Sequence, residues 1–148
     1  MNACTFIGHQ DCDRSIVPTL YAEIEKLILC ENVSTFYVGN NGHFDYYVYQ
    51  ALCELEKSYD MEIIVVLAYL NYKHDAYYSC SKTMFPSVLE KTPLRFAISK
   101  RNLYMISNSK FLICYLNQTF TNTYSYVKKA LRQKLTIINI GSYDLDKI

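Results

Sequence analysis

The segment of residues 39–45 has the sequence Gly-Asn-Asn-Gly-His-Phe-Asp, and these residue types suit the binding of an anion. Its glycines allow a tight turn and a close approach of the backbone to a phosphate. The segment follows an apolar run and precedes a helical pattern, so it would lie where free N–H groups and the positive end of a helix dipole attract anions. An ordinary strand-to-helix turn formed by Asn and Gly explains the same residues equally well. The candidate ligand-binding residues here are Gly39, Asn40, Asn41, Gly42, Phe44 and Asp45.

A similar arrangement follows the first apolar run of the chain, where residues 8–11 are Gly-His-Gln-Asp. The imidazole of the histidine could donate a hydrogen bond to a phosphate or to a ribose hydroxyl. A lone histidine is more often a structural residue whose hydrogen bonds are satisfied inside the protein, and this alternative stays open. The candidate ligand-binding residues here are Gly8, His9 and Gln10.

Arg101 is the candidate for contacting an anionic part of a ligand. It belongs to the densest basic cluster of the chain, together with Arg95 and Lys100. A guanidinium group presents a planar fork of donors that matches a phosphate or a carboxylate. The cluster could instead be a solvated helix face, or the arginine could hold the fold through a carboxylate. The remaining candidates follow two later apolar runs, and they are Tyr69, Thr119, Thr121 and Asn122.

Apolar segments and helical spacing predict the elements that position these residues. The strands are expected at 3–7, 35–38, 62–68, 111–116 and 135–140, and the helices at 16–28, 44–55, 99–107 and 121–131. Their order predicts an α/β fold: a doubly wound, mostly parallel five-stranded sheet, Rossmann-like, with helices on both faces. We expect a single domain over residues 1–148, with a less regular segment at 69–98 and a polar tail at 141–148.

The predicted fold selects the loops in which a ligand would bind. In a doubly wound sheet, ligands bind at the carboxyl ends of the strands, near the point where the strand order reverses. The loops in this position are 8–11, 39–45, 68–72 and 117–122. The first two follow adjacent parallel strands, so we expect them to lie side by side at one edge of the sheet.

The composition excludes several classes of protein. Hydrophobic residues make up 51% of the 148 residues and charged residues 20%, which is incompatible with a disordered chain. The formal net charge of +1 argues against a partner that is duplex nucleic acid. No apolar run approaches the roughly 18–20 residues of a membrane span, so no membrane partner is expected.

All six cysteines are expected to be reduced. No secretory signal opens the chain, so we expect a cytoplasmic location. The sequence has no Cys-x-x-Cys pair, which excludes a zinc ribbon. Several cysteines stand in apolar segments, as core residues of a cytosolic protein do. The cysteines expected in the core are Cys4, Cys30, Cys53 and Cys114, and the others are Cys12 and Cys80.

Several motifs taken together resemble the SLOG superfamily, and more closely its small stand-alone members of the YpsA-like type. The motifs are Phe-Ile-Gly-His at 6–9, Phe-Tyr-Val-Gly-Asn-Asn-Gly-His-Phe-Asp at 36–45, Val-Leu-Ala-Tyr at 66–69, Arg-Phe-Ala-Ile at 95–98 and Arg-Asn-Leu-Tyr-Met-Ile at 101–106. The resemblance spans residues 3–141 and implies a Rossmann-like nucleotide-binding domain that forms a homo-oligomer. The superfamily includes LOG-type phosphoribohydrolases, DprA-type DNA-processing proteins and sensor domains for nucleotide-derived signals.

The chain departs from the LOG-type enzymes in residues that those enzymes use for hydrolysis. Arg101 resembles their helix arginine. Those enzymes also use a glutamate that follows a Pro-Gly-Gly-x-Gly-Thr loop. Segment 116–123 stands at that place here, and this segment contains no Gly, Pro or Glu. Gln10 stands where relatives usually carry Arg. Hydrolysis of an N-glycosidic bond needs a carboxylate, which here would have to come from Asp45 or another acid.

The resemblance, with these departures, therefore implies non-catalytic binding of a nucleotide or a nucleotide-derived signal, such as an ADP-ribose-like or cyclic species. The protein would sense or sequester this small molecule in prokaryotic defence or counter-defence. A nucleotide phosphoribohydrolase of LOG type is the alternative. A single-strand-binding or protein-interaction domain in the style of DprA is a third reading, against which the net charge of +1 weighs. No catalytic residue, metal or cofactor is expected.

Overall fold

Parallel strands form the central sheet of the structure, a computed structural model that describes residues 2–70 and 82–148. The strands are β1 (Ala3–Gly8), β2 (Thr35–Val38), β3 (Glu62–Val66), β4 (Lys82–Met84), β5 (Phe111–Tyr115) and β6 (Thr136–Asn139). Their order in the sheet is β4-β3-β2-β1-β5-β6, and every neighbouring pair is parallel. The direction in which successive strands are added therefore reverses at β1, which lies between β2 and β5.

Helices cover this sheet on both faces. They are α1 (Val17–Glu31), α2 (His43–Glu56), α3 (Ala97–Ser107) and α4 (Asn122–Arg132). Alternate residues of a strand point to opposite faces. Phe6 packs in one apolar cluster with Leu20 of α1, whereas its neighbour Ile7 packs in another with Ile106 of α3 and Val127 of α4. The strands are thus buried from both sides, which explains their continuous apolar runs.

Local signals fix the two ends of α1. The helix follows a 3-10 turn at Arg14–Ile16, and the carboxylate of Asp13 caps this turn by accepting a hydrogen bond from the amide of Ser15 at 2.8 Å. A proline lies in the first turn of α1, where its missing N–H group has no partner to lose. The helix ends at Glu31, and the next residue, Asn32, has the left-handed φ of 56° that commonly terminates helices.

The predicted α/β, Rossmann-like fold is confirmed, but the predicted number of five strands is wrong. The sixth strand is β4, a Lys-Thr-Met segment within the region that was expected to be less regular. It pairs with β3 at the edge of the sheet, where its first two residues are exposed. A short polar edge strand has no apolar run, so hydrophobic patterning does not reveal it. The sheet is also parallel throughout, rather than mostly parallel.

The burial of the described cysteines departs in part from the expectation, whereas their reduced state stays a prediction. Cys4, Cys12, Cys30 and Cys114 are free thiols, whereas Cys80 lies outside the described residues. Cys30 is exposed, so its predicted place in the core is wrong. The helix α1 buries Leu20, Ile24 and Leu27 against the sheet, and Cys30 lies off this buried stripe.

The chain end that was predicted as a polar tail returns to the sheet. Asn139 donates from Nδ2 to the carbonyl of Tyr143 at 2.8 Å, and the amide of Tyr143 donates to the carbonyl of Leu116 at 3.0 Å. The segment is therefore anchored to the loop that follows β5. Within the described residues, no helix combines the length and the apolar character needed to cross a membrane.

Candidate functional site

A cleft of about 560 Å³ opens at the carboxyl edge of the sheet, beside β1 and β5. Its volume lies within the range of small-molecule sites, about 300–1,000 Å³. The walls come from the loop after β1, the loop from β2 into α2, the helix α3 and the loop from β5 into α4. Because the strand order reverses between β1 and β5, this is the place where an open α/β sheet binds its ligand.

The loops that follow β1 and β2 lie side by side, as predicted. The amide of His43 donates to the carbonyl oxygen of Gln10 at 2.8 Å. Gly42 approaches the same residue so closely that an added Cβ would stand 2.9 Å from the Cβ of Gln10. Gly42 also has a φ of +92°, which L side chains rarely adopt, so this position requires glycine.

Part of the predicted ligand-binding set lines the cleft. The predicted residues in the lining are Gly8, His9, Gln10, Asn41, Asp45, Arg101, Thr121 and Asn122. The predicted residues outside the lining are Gly39, Asn40, Gly42, Phe44, Tyr69 and Thr119. Asp11, Asn117 and Gln118 also line it and belong to loops that the strand-end rule selects. The other lining residues were not predicted to bind a ligand, although the first four lie in the motifs described above, and they are Phe6, Ile7, Ile98, Asn102, Thr123 and Tyr126.

Two of the predicted glycines make room for neighbouring side chains of the protein itself. A Cβ on Gly8 would stand 2.7 Å from the ring of Phe44, which packs in the core. A Cβ on Gly39 would stand 2.7 Å from Oδ2 of Asp45 and 2.9 Å from Cζ of Arg101. Gly39 and Phe44 therefore shape the cleft from behind its lining.

Arg101 is buried in the wall of the cleft, with only 1% of its surface exposed. Its Nη2 donates to Oδ1 of Asn41 at 3.0 Å, and its Nη1 donates to the carbonyl of Val66 at 3.1 Å. Its Nε donates to Oδ1 of Asn102 at 2.8 Å. The interpretation of Arg101 as part of a solvated face is therefore wrong. Its guanidinium joins α3 to the ends of β2 and β3.

Asp45 lies beside this guanidinium, in the first turn of α2. Its Oδ2 accepts the amide of Asn41 at 3.0 Å. Burial raises the pKa of Asp45, while the charge of Arg101 and the amide of Asn41 act in the opposite direction. The carboxylate thus has a structural role in the same loop that Arg101 holds.

His9 connects the loop after β1 to the loop after β5. Its Nε2 accepts the amide hydrogen of Asn117 at 3.0 Å, although the two residues are 108 positions apart. Burial lowers the pKa of His9 below its ordinary value of 6.5. Both observations favour the neutral ring, in which Nδ1 carries the proton and remains a hydrogen-bond donor.

The start of α4 offers hydrogen-bonding groups to the cleft. Thr121 occupies the N-cap position, but its side chain makes no capping hydrogen bond. Its Oγ1 is buried and has no hydrogen-bond partner. Thr123 is 5% exposed and also lines the cleft. The first N–H groups of an α-helix have no partner within the helix, so this end presents donors next to an unused hydroxyl.

The charged groups of the cleft are few compared with its neutral polar groups. Asp11 stands fully exposed at the rim, whereas Asp45 and Arg101 are buried together. Amides and hydroxyls supply the other polar side chains of the lining, apart from the imidazole of His9. Among residues 2–70 and 82–148, no group of three or more His, Cys, Asp or Glu is placed to hold a metal ion.

No protein-family profile matches this chain, and no curated protein sequence matches it significantly. Among solved structures, it is similar to the X-ray structure of DNA processing protein A (DprA) from Streptococcus pneumoniae, with a TM-score of 0.72 and 14% sequence identity. The alignment covers 99% of this chain and 52% of that protein, so the chain spans about half of its length. This likeness establishes a common fold: the chain has the parallel, Rossmann-like α/β architecture that is also present in DprA.

Proposed function

We propose that the cleft binds a nucleotide or a nucleotide-derived small molecule and leaves it chemically unchanged, so that the protein acts by sensing or sequestration. The observation that carries this proposal is the buried hydroxyl of Thr121, which has no partner in the wall of the cleft. An unsatisfied buried polar group costs about 1–3 kcal/mol. A ligand that accepts or donates a hydrogen bond at Oγ1 would remove this cost.

The groups around Thr121 match the parts of a nucleotide. The N-terminal amides of α4 and the positive end of its dipole suit an anionic group such as a phosphate. Side-chain amides of Asn41 and Gln118 suit ribose hydroxyls and the edge of a base, because they both donate and accept. Phe6 and Ile98 provide apolar wall area for the remainder of the ligand.

Binding without hydrolysis is favoured by the positions of the carboxylates. The loop from β5 into α4 and the first turn of α4 contribute residues 117, 118 and 121–123 to the lining, and none of them is acidic. Asp45 already accepts the Asn41 amide and lies beside Arg101. Asp11 is fully exposed at the rim, where water would screen its charge.

The proposal also includes the family to which the chain belongs. The motifs at 6–9, 36–45 and 95–106 resemble small stand-alone SLOG proteins, and a fold shared with DprA agrees with that resemblance. We infer that the chain is a SLOG-type domain whose ligand is an ADP-ribose-like, cyclic or mononucleotide species. A homo-oligomer and a role in prokaryotic defence or counter-defence are further parts of this proposal.

Isothermal titration with AMP, ADP-ribose and a cyclic adenine nucleotide tests the proposal. We expect saturable binding of at least one of them, and about a tenfold loss of affinity in Thr121→Val, which removes one hydrogen bond at constant shape. Thr119→Val is the matched control, because Thr119 lies in the same loop but outside the lining. Absence of binding to all three ligands, or equal losses in the two variants, would contradict the proposal.

Hydrolysis of an N-glycosidic bond is the second candidate function, favoured by one observation. Asp45 lines the cleft and burial raises its pKa, as in carboxylic acids that protonate a leaving group. This function predicts release of free base from AMP by the wild-type protein and loss of that release in Asp45→Asn. Chromatography of the incubated nucleotide therefore distinguishes the two functions.

A further inference from the structure

Phe120 is the most exposed of the large apolar side chains in the described part of the chain, with 91% of its surface accessible. It belongs to the loop from β5 into α4, between Gln118 and Thr121, both of which line the cleft. A phenylalanine ring is usually buried, because its large apolar surface is unfavourable in water. Its exposure next to two lining residues leaves the ring free to contact a molecule bound in the cleft.

The loop that carries Phe120 is held on both sides. Before it, the amide of Asn117 donates to Nε2 of His9 at 3.0 Å, and Oδ1 of Asn117 accepts the amide of Ser142 at 2.8 Å. After it, Thr121 forms the N-cap of α4. These attachments hold the backbone of Phe120 at the edge of the cleft, between two lining residues and adjacent in sequence to the unpartnered hydroxyl of Thr121.

We propose that Phe120 stacks on the planar base of the ligand and makes the cleft selective for ligands that contain a base. This inference rests on the proposed function, and it assigns a specificity residue that the sequence motifs did not identify. An aromatic ring stacks on any nucleobase, because every base has a π face, and stacking needs no polar partner. The sugar and anionic group of the same ligand then reach Thr121 and the start of α4.

A second copy of the chain is the other candidate occupant of this position. The neighbours of Phe120 at positions 117–119 and 122 are polar and exposed. A standard protein interface buries about 800 Å² on each partner around an apolar centre. One ring surrounded by polar side chains does not form such a centre, whereas a single planar base matches it in size. The surroundings therefore favour the ligand.

Fluorescence tests the stacking, because the chain contains no tryptophan. Phe120→Trp introduces a reporter at the rim, and Leu29→Trp introduces a matched control at a residue of α1 that is 62% exposed. AMP and ADP-ribose should quench the first variant saturably and leave the second unchanged. Ribose 5-phosphate, which lacks a base, should quench neither variant. Equal responses of the two variants, or equal quenching by ribose 5-phosphate, would overturn the inference.

Affinity and oligomeric state complete the test. Phe120→Ala should weaken binding of AMP and ADP-ribose by about tenfold or more, and Phe120→Tyr should retain it, because stacking depends on the ring. The affinity for ribose 5-phosphate should not change. Unaltered nucleotide affinity in Phe120→Ala, or a change in sedimentation that indicates loss of a dimer, would overturn the stacking inference alone. Failure of the wild-type protein to bind any base-containing probe would overturn the proposed function as well.

Discussion

The guanidinium of Arg101 donates from Nη2 to Oδ1 of Asn41 at 3.0 Å, across 60 positions of the sequence. The same group reaches the carbonyl of Val66 at the end of β3 and lies beside the carboxylate of Asp45. One side chain from α3 thus holds the loop after β2, which forms a wall of the cleft. This relationship makes Arg101 a positioning residue, and direct contact with a ligand anion stays a prediction.

Removal of the Arg101 side chain should destabilise the free protein. Arg101→Ala removes the hydrogen bonds to Asn41, Val66 and Asn102 and leaves buried Asp45 without its neighbouring cation. Leaving buried polar groups unsatisfied costs about 1–3 kcal/mol each, so we expect a loss of at least this size. Arg101→Lys should recover only part of this loss, because an ammonium group lacks the planar fork of donors. Urea unfolding without ligand measures both effects.

A double variant and a neighbouring basic residue supply the controls for this prediction. Arg101→Met combined with Asp45→Asn should be less destabilised than the sum of its single variants, because it removes both charges together. Lys100→Ala, at an exposed neighbour, should change the unfolding free energy by less than about 0.5 kcal/mol. Additive losses in the double variant would show that the two charges are not coupled.

Direct contact of Arg101 with the ligand makes a separate prediction. At a temperature where Arg101→Ala is folded, its affinity for AMP or ADP-ribose should fall by about ten- to a hundredfold, since a charge-assisted hydrogen bond contributes about 1.5–3 kcal/mol. Titration calorimetry measures the change. If the unfolding free energy falls while the affinity stays at the wild-type value, the role of Arg101 is purely structural.

The titration of His9 should make the protein less stable in mild acid. Its pKa is lowered in the folded state by burial, so the folded protein binds fewer protons than the unfolded chain below pH 6.5. Stability therefore falls as the pH drops from 6.5 towards the folded pKa, and this contribution levels off below it. Unfolding free energies measured between about pH 8 and 5 should show a shallower fall in His9→Asn. An identical pH profile in His9→Asn and in the control His43→Asn would contradict this prediction.

A methyl group added at Gly39 should disturb the cleft from behind. In Gly39→Ala the new Cβ would stand 2.7 Å from Oδ2 of Asp45 and 2.9 Å from Cζ of Arg101, so the buried pair would have to move. Overpacking of this kind costs about 1–3 kcal/mol. Thermal unfolding should show the loss, whereas Ser58→Ala, in an exposed turn, should leave the midpoint unchanged. A wild-type midpoint in Gly39→Ala would mean that the site tolerates the displacement.

Patterning along the sequence predicts the long apolar strands but not every element. The run at 63–68 is apolar because β3 is covered by helices on both faces, and that burial is visible in the residue types. The strand β4 consists of Lys-Thr-Met at the sheet edge, and its pairing with β3 depends on backbone hydrogen bonds that residue types do not encode.

In the site too, features that depend on neighbouring residues in the sequence could be predicted, whereas contacts between distant residues could not. The loops at 8–11 and 39–45 could be placed together because they follow strands that become neighbours in a parallel sheet. The basic neighbours of Arg101 suggested an exposed cluster, since sequence does not show which face of α3 is buried. The bond between His9 and Asn117 joins residues 108 positions apart, and no periodicity predicts a contact of that range.

Recovery of the ligand after incubation tests the central claim most directly. The wild-type protein is incubated with AMP or ADP-ribose, separated from free nucleotide, denatured and analysed by mass spectrometry, with Thr121→Val as the comparison. The account predicts that the wild-type protein retains the nucleotide, that Thr121→Val retains less, and that the released molecule has the mass of the intact nucleotide. Recovery of free base and sugar phosphate, or no retention of either nucleotide by the wild-type protein, would contradict it.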